Sequence, residues 1–375
     1  MIVPQFFHTA SVIFLFPYIS IQYFPHAAVE NGIRPTLPIH PESCYTISLF
    51  IVCERGLSVD SFLFSVQATA PVFLLMVLGY GFRRLGLMDD RFCKVSDKFV
   101  FTVALPVMLF RDMATTHLRE TFDLPYVLFC AGVTTLVFFT IWGLAHRFLK
   151  DKSLVGEFVQ VSYRSSAAIL GCAIIMGIYG DTGMAPLMII GSVPLFNIYA
   201  VLVLTLEGPK ASGDLAHRLR HAGKGILTNP IILGILLGTI PSLLGLEAFP
   251  PILDSTLDLL ARVATPLALL SLGATFQGKK ALGQIKLSAV ASAIKLLILP
   301  ALFLPLAVWC GFTDSKLVAL LIMLGSTSTP TCYIMARNLG HEGTLTASVI
   351  VMTIVCSAFT LTLWIFLGRL LGLIA

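Results

Sequence analysis

The stretch Pro71-Val-Phe-Leu-Leu-Met-Val-Leu-Gly79 returns in outline as Pro230-Ile-Ile-Leu-Gly-Ile-Leu-Leu-Gly238. Both copies continue to Leu-Gly-Leu, at 85–87 and 244–246. The same lag, 159–160 residues, sets Val103-Ala-Leu-Pro106 against Val263-Ala-Thr-Pro266 and Ala114-Thr115 against Ala274-Thr275. It also sets Cys172, Gly180 and Gly183 against Cys332, Gly340 and Gly343. Chance alignment of Leu/Val/Gly-rich helices explains scattered identities, but not three landmark groups in one register. The chain is therefore expected to consist of two related halves.

What the halves are made of follows from composition. Hydrophobic residues make up 57% of the 375 and charged residues only 12%, with a mean hydropathy of +0.90. A soluble domain carries about 25% charged residues, so this chain could not cover a water-facing surface of its size. Apolar runs of about 20 residues cross a bilayer once. Ten of them are placed near 61–82, 97–114, 124–146, 156–180, 184–206, 226–246, 257–277, 287–310, 316–337 and 343–369. The expected fold is an all-α polytopic membrane protein, ten transmembrane helices in two five-helix repeats.

Five is an odd number, so the second half enters the membrane from the opposite side. Loop charges argue the same independently. With the first span starting outside, the inner joints hold Arg83, Arg84, Arg91, Lys94, Lys98, Arg147, Lys150, Lys152, Lys210, Arg218, Arg220, Lys224, Lys279, Lys280, Lys286 and Arg337. Beside the N-terminal segment's own residues, the outer ends hold only Arg111, Arg119, Lys316 and Arg369, so basic residues mark the cytoplasmic side sixteen to four. Inverted repeats of this kind are a secondary-transporter architecture. The expected organisation is a first repeat over 61–208, a basic cytoplasmic loop over 209–224 and a second repeat over 225–375. Residues 1–60, with six prolines that forbid a long helix, are expected to lie outside the folded core and to be disordered or upstream of the true start.

In inverted-repeat carriers the site lies at the midplane, where broken helices expose backbone groups. Spans four and nine occupy equivalent places in the repeat and are the expected crossing, broken pair. Span nine carries Ser326-Thr-Ser-Thr-Pro330-Thr331. Pro330 removes a backbone donor and breaks the helix, and Ser326, Thr327, Ser328, Thr329 and Thr331 can satisfy freed carbonyls or bind a solute. The alternative is an ordinary kink with hydroxyls packed between helices. Span four carries Arg164-Ser165-Ser166. A mid-membrane arginine costs about 3 kcal/mol or more unless paired or wet, and its guanidinium could grip a carboxylate bidentately. Snorkelling to the inner face, or pairing with Glu157, would account for it equally well. Lys295 is a second midplane cation or another snorkelling side chain, and Asn197 is a site amide or helix–helix glue. Arg164, Ser165, Ser166, Asn197 and Lys295 join the span-nine hydroxyls as candidate substrate contacts. Two central cations and few anions favour an anionic substrate.

The eight cysteines form no CxxC pair, so neither a metal centre nor a disulfide framework is expected, and no cofactor. A GxxxxGK[ST] loop, GxSxG, HExxH and paired intramembrane aspartates are all missing from the sequence, which leaves ATP drive and intramembrane catalysis without a motif. The net charge of +5 sits in membrane-facing clusters, so nucleic acid is not an expected partner. The bilayer and a small organic anion are, and a homodimer is conceivable. An ion channel or a membrane sensor on a carrier scaffold stands as the alternative to a carrier.

Pro71-Val-Phe-Leu…Gly79-Tyr-Gly-Phe-Arg-Arg-Leu-Gly, Ala104-Leu-Pro106…Phe110-Arg, Val193-Pro-Leu-Phe-Asn197, Asn229-Pro-Ile-Ile…Gly238, Pro266-Leu-Ala-Leu…Gly273-Ala, Lys295-Leu-Leu-Ile-Leu-Pro300 and Ser328-Thr-Pro330, taken in order, resemble the auxin efflux carrier family. That family is similar to the bile acid/sodium symporters. The resemblance covers about residues 60–372. It implies permease activity on organic acids such as malonate or auxin-like acids, in this case in the bacterial inner (plasma) membrane. It also implies a scaffold set of helices beside a transport set whose fourth and ninth helices break. By position, Arg164 matches the family's arginine before the first break, Pro330 the second break and Asn197 the helix-five amide. Ser165-Ser166 stand where bacterial members have Gly-Asn, so the substrate or the coupling mode is expected to differ.

Overall fold

The computed structural model describes residues 59–115, 123–167, 172–179, 183–208, 223–245 and 249–374. The expectations for 1–58 and for 209–222 lie outside the described residues. Every regular element among those described is helical. In chain order they are α1 (Val59–Arg84), α2 (Asp90–Phe99), α3 (Leu105–Ala114), α4 (Leu124–Phe148), α5 (Val155–Tyr163), α6 (Cys172–Tyr179), α7 (Ala185–Leu206) and α8 (Pro230–Leu244). They continue with α9 (Pro251–Thr275), α10 (Gly278–Gly283), α11 (Ile285–Ala293), α12 (Leu299–Trp309), α13 (Asp314–Gly325), α14 (Thr331–Asn338) and α15 (Thr344–Leu370).

Five continuous helices among the described residues are long and apolar enough to cross a membrane: α4, α7, α9, Ile285–Trp309 and α15. Their exposed faces carry Leu128, Leu136, Phe139, Leu259, Leu302, Val355 and Phe359, an outside that lipid, and not water, would cover.

Two pairs of helices are joined by π-turns. Val100–Ala104 connects α2 to α3, and Ile294–Ile298 connects α11 to α12. The first extends the second span back to Asp90, seven residues before the expected start. That start is capped by Asp89, which accepts from Phe92 N. The added turns are amphipathic, with Cys93, Ser96 and Asp97 buried. Charge counting could not detect this, because Arg91, Lys94 and Lys98 lie on the opposite, wet face.

Packing sorts the helices into two groups. In one, α8 lies along α3 and α9 along α1. Four contacts set their spacing: a Cβ at Gly79 would strike the backbone of Leu270 and one at Gly273 that of Met76, while one at Gly238 would strike the backbone of Phe110 and one at Gly234 that of Pro106. Small residues let apolar helices approach until van der Waals contact replaces the missing hydrophobic drive. Gly79 and Gly238, like Phe110 and Leu270, stand at the lag noted above, so the Gly79–Leu270 and Gly238–Phe110 contacts exchange under it, while those of Gly273 and Gly234 do not. The other group contains α4, α5, α7 and the helices from α11 to α15, with α4 against α7 and α15 against α11, and α15 also packs along α1 of the first group.

Candidate functional site

Spans four and nine are both interrupted. α5 ends at Tyr163, and Arg164 is extended (φ −75, ψ 131). No proline forces this stop. Ser165 and Ser166 follow, residues that readily leave helical geometry. Span nine stops at Gly325, with Ser326 extended (φ −85, ψ 176), and α14 resumes at Thr331 behind Pro330. Pro330 therefore begins the second half-helix, where its missing N–H costs little, and restricts Thr329 before it.

The two breaks satisfy one another. Ser166 N donates to Thr327 O at 2.9 Å, and Ser328 Oγ donates to Val161 O at 2.8 Å. Ser328 N reaches Thr353 Oγ1 of α15 at 3.1 Å, and Gln160 Nε2 reaches Cys332 O at 3.0 Å. Irregular backbone is held inside protein by hydrogen bonds, the condition for its survival at membrane depth. Ser328 and Thr327 therefore act on the fold of the crossing, while Ser326 Oγ is buried with no partner.

On one side of the crossing lies a cavity of about 40 Å³, lined by Arg164, Ser165, Ser166, Asn197, Thr329 and Thr331 together with Met108, Leu109, Val193 and Phe196. Arg164 is 2% exposed. Its Nη2 donates to Asn197 Oδ1 at 2.9 Å, and its Nη1 meets only Met335 Sδ, at 2.9 Å. Asn197 Nδ2 is anchored on Val193 O, which turns its carbonyl toward the guanidinium. Among the described residues no carboxylate is within ion-pair distance of Arg164, and its Nε and the neighbouring Ser165 Oγ are buried without partners. A desolvated guanidinium on neutral acceptors is only partly compensated.

Glu157, one of the partners considered for Arg164, serves elsewhere. Its carboxylate accepts from Gly343 N, Thr346 N and Thr346 Oγ1 at 2.9–3.0 Å. It thus caps α15, whose own Gly343 offers no side chain for the task. Lys295 does not line the cavity. It is fully buried, and its Nζ points at Tyr163 O, 3.3 Å away, across the crossing.

Residues absent from the sequence-based candidates tie the two helix groups together at the end marked cytoplasmic by charge. Tyr333 OH of α14 bonds Thr275 Oγ1 of α9. Asp97, nearly buried, accepts from Ser271 Oγ at 2.5 Å and lies 4.0 Å from Arg337, while Asn338 Nδ2 donates to its backbone carbonyl. A larger cavity, about 290 Å³, opens beside these ties between Arg83, Arg84, Gln277, Tyr333, Arg337 and Thr344. An Asp one residue from a basic cluster looks solvated in sequence, and only its packing against Ser271 in the structure shows otherwise.

Described elements that are all helical, with lipid-suited faces, a broken-helix crossing and a small polar cavity at that crossing, have the features of a membrane transporter. Residues 64–365 match the family described as "Membrane transport protein", and the chain belongs to this family, the auxin efflux carriers. It is 22% identical over 308 residues to an uncharacterized transporter of Methanothermobacter thermautotrophicus, covering 81% of this chain and 98% of that one. It is 24% identical over 316 residues to the uncharacterized transporter YfdV of Escherichia coli K12, covering 82% and 99%. It is also 24% identical over 308 residues to a putative malonate transporter of Rhizobium meliloti, covering 80% and 94%. The protein is an integral membrane transporter.

Proposed function

We propose that the chain is a secondary carrier for a small organic anion, a carboxylate such as malonate or an auxin-like acid. It would work by alternating access at the α5/α6 and α13/α14 crossing, in the bacterial inner membrane. The observation that carries this reading is Arg164: a buried guanidinium facing a cavity, with an amide and a thioether as its acceptors and no carboxylate beside it among the described residues. A substrate carboxylate would supply the missing charge and a bidentate partner, with Ser165, Ser166, Asn197, Thr329 and Thr331 as neutral contacts around it. The name of the Rhizobium relative favours a dicarboxylate.

The cavity has room for about three water molecules, less than a multi-carbon acid needs. The described conformation is therefore closed around the crossing, and substrate binding would require the two helix groups to separate. Ten helices in two inverted five-helix repeats would supply that motion, and the exchanged contacts Gly79–Leu270 and Gly238–Phe110 support such a plan. The test is flux of a carboxylate panel, including malonate and indole acetate, in proteoliposomes with sodium and pH gradients varied separately. Saturable flux of at least one acid is expected. Single-channel steps, or flux that never saturates, would overturn the carrier in favour of a channel.

A further inference from the structure

Lys295 is the second buried cation of the crossing, and its surroundings differ in kind from those of Arg164. The π-turn Ile294–Ile298 packs on α5, α13 and α15, and this register leaves Lys295 with no exposed surface. Its ammonium is directed at Tyr163 O, the last carbonyl of α5. The C-terminus of a half-helix carries about −0.5 charge on carbonyls that lack intrahelical donors. Snorkelling would send the amine along the helix to the interface, whereas here it crosses to a backbone end. No carboxylate among the described residues forms an ion pair with it, so the helix end is its counter-charge.

Further buried oxygens without donors lie on the same elements: Gln160 Oε1 on α5, Ser326 Oγ at the end of α13, and Ser288 and Ser292 Oγ on the helix of Lys295 itself. Carbonyl, amide and hydroxyl oxygens are the kind of donor that holds a coupling cation beside a half-helix C-terminus in a broken-helix carrier. In this chain the positive charge at that place is covalently attached.

We propose that the Lys295 ammonium is the resident cation of the crossing. It holds the end of α5 where a bound alkali-metal ion would otherwise be required, so that the carrier turns over without sodium. The inference rests on the carrier reading above, and it assigns Lys295 a positioning role with no substrate contact.

The test compares purified wild type, Lys295→Ala, Lys295→Gln and Lys295→Arg in sodium, lithium, methylammonium and choline chloride at equal ionic strength. Melting temperature is read in detergent, and carboxylate flux in liposomes. Wild type is expected to melt and transport alike in all four salts. Lys295→Ala should lose at least about tenfold in flux in choline. It should recover severalfold, and melt several degrees higher, in sodium, lithium or methylammonium, while Lys295→Arg keeps more flux in choline than Lys295→Ala. A sodium requirement in wild type would overturn the proposal. So would full flux of Lys295→Ala in choline, or neutral variants that no small cation restores in flux or in melting. If Lys295→Ala does not fold, Lys295→Gln takes its place in every arm. The melting arm needs no substrate, so an unresponsive carboxylate panel would defeat the carrier reading and leave this one to be decided by the cation shifts.

Discussion

Arg111 and Arg164 are the same residue in two opposite settings. Arg111, near the end of α3, meets two carboxylates of α9: Asp254 at 2.9 Å and Asp258, which also accepts from Arg262 at 2.6 Å. Arg164 meets none. Each leaves its Nε without a partner, so the difference lies in the counter-charge. At Arg111 the fold completes the charge balance and uses the cation to clamp α3 to α9. At Arg164 the balance is left incomplete beside a cavity, the setting in which a cation can serve an anion that comes and goes.

Four measurements would break or sharpen this contrast. The largest effect is expected from Arg164→Ala, with about 100-fold or more lost from carboxylate flux, as for truncation of one member of a buried charge pair. Its melting temperature should be unchanged or higher, because an uncompensated buried charge has been removed. Arg111→Ala should do the reverse. Flux should stay within about threefold while stability drops by about 1–2 kcal/mol, since Asp254 and Asp258 lose their partner in a partly exposed network. A flux loss as deep as that of Arg164→Ala would erase the distinction.

Tyr333→Phe comes third. It removes the hydroxyl that joins α14 to Thr275 of α9, a single neutral hydrogen bond of about 1 kcal/mol. A change of about fivefold in the apparent affinity on the cytoplasmic side is expected, read by comparing right-side-out with inside-out vesicles. The smallest effect concerns the opposite end of the protein. Lys316 hydrogen-bonds the Asp123 carboxylate at 2.5 Å and holds its pKa below the ordinary value. The stability this pair contributes is therefore present above about pH 4, where an unfolded aspartate is ionised, and is lost as pH falls through the lowered folded pKa. Melting curves should show a slight acid-side decline in wild type that Asp123→Asn lacks.

How much of this was legible in sequence varies with the kind of interaction. Span nine announced its break through Pro330 and a row of hydroxyls. Span four announced only an arginine in an apolar run, because its stop depends on a hydrogen bond from Ser166 N to Thr327 O, a partner 161 positions away. Asn197 and Arg164 were both suspected singly. Their pairing required the turn of α7 that brings position 197 to the crossing. Glu157 was visible as an acid near the inner face, but its use as the cap of α15 was signalled only by the absence of a capping side chain at Gly343. Asp97 was hidden altogether, since its partner Ser271 lies 174 positions away and nothing in the basic cluster around it signals burial.

By itself the sequence determined that this chain lives in a bilayer, which end of each apolar run is basic, and which intramembrane residues are too polar to be there without a reason. Those properties are local sums of transfer free energy, additive along the chain, so a string of residues is enough to compute them. Tertiary structure alone decided which of two buried cations faces the cavity and which faces a helix end. It also decided which carboxylates are already committed, and which hydroxyls close the crossing and which stay free within it. Those are questions of direction and of pairing across more than a hundred residues, and a side chain acquires a direction only when the backbone around it is in place.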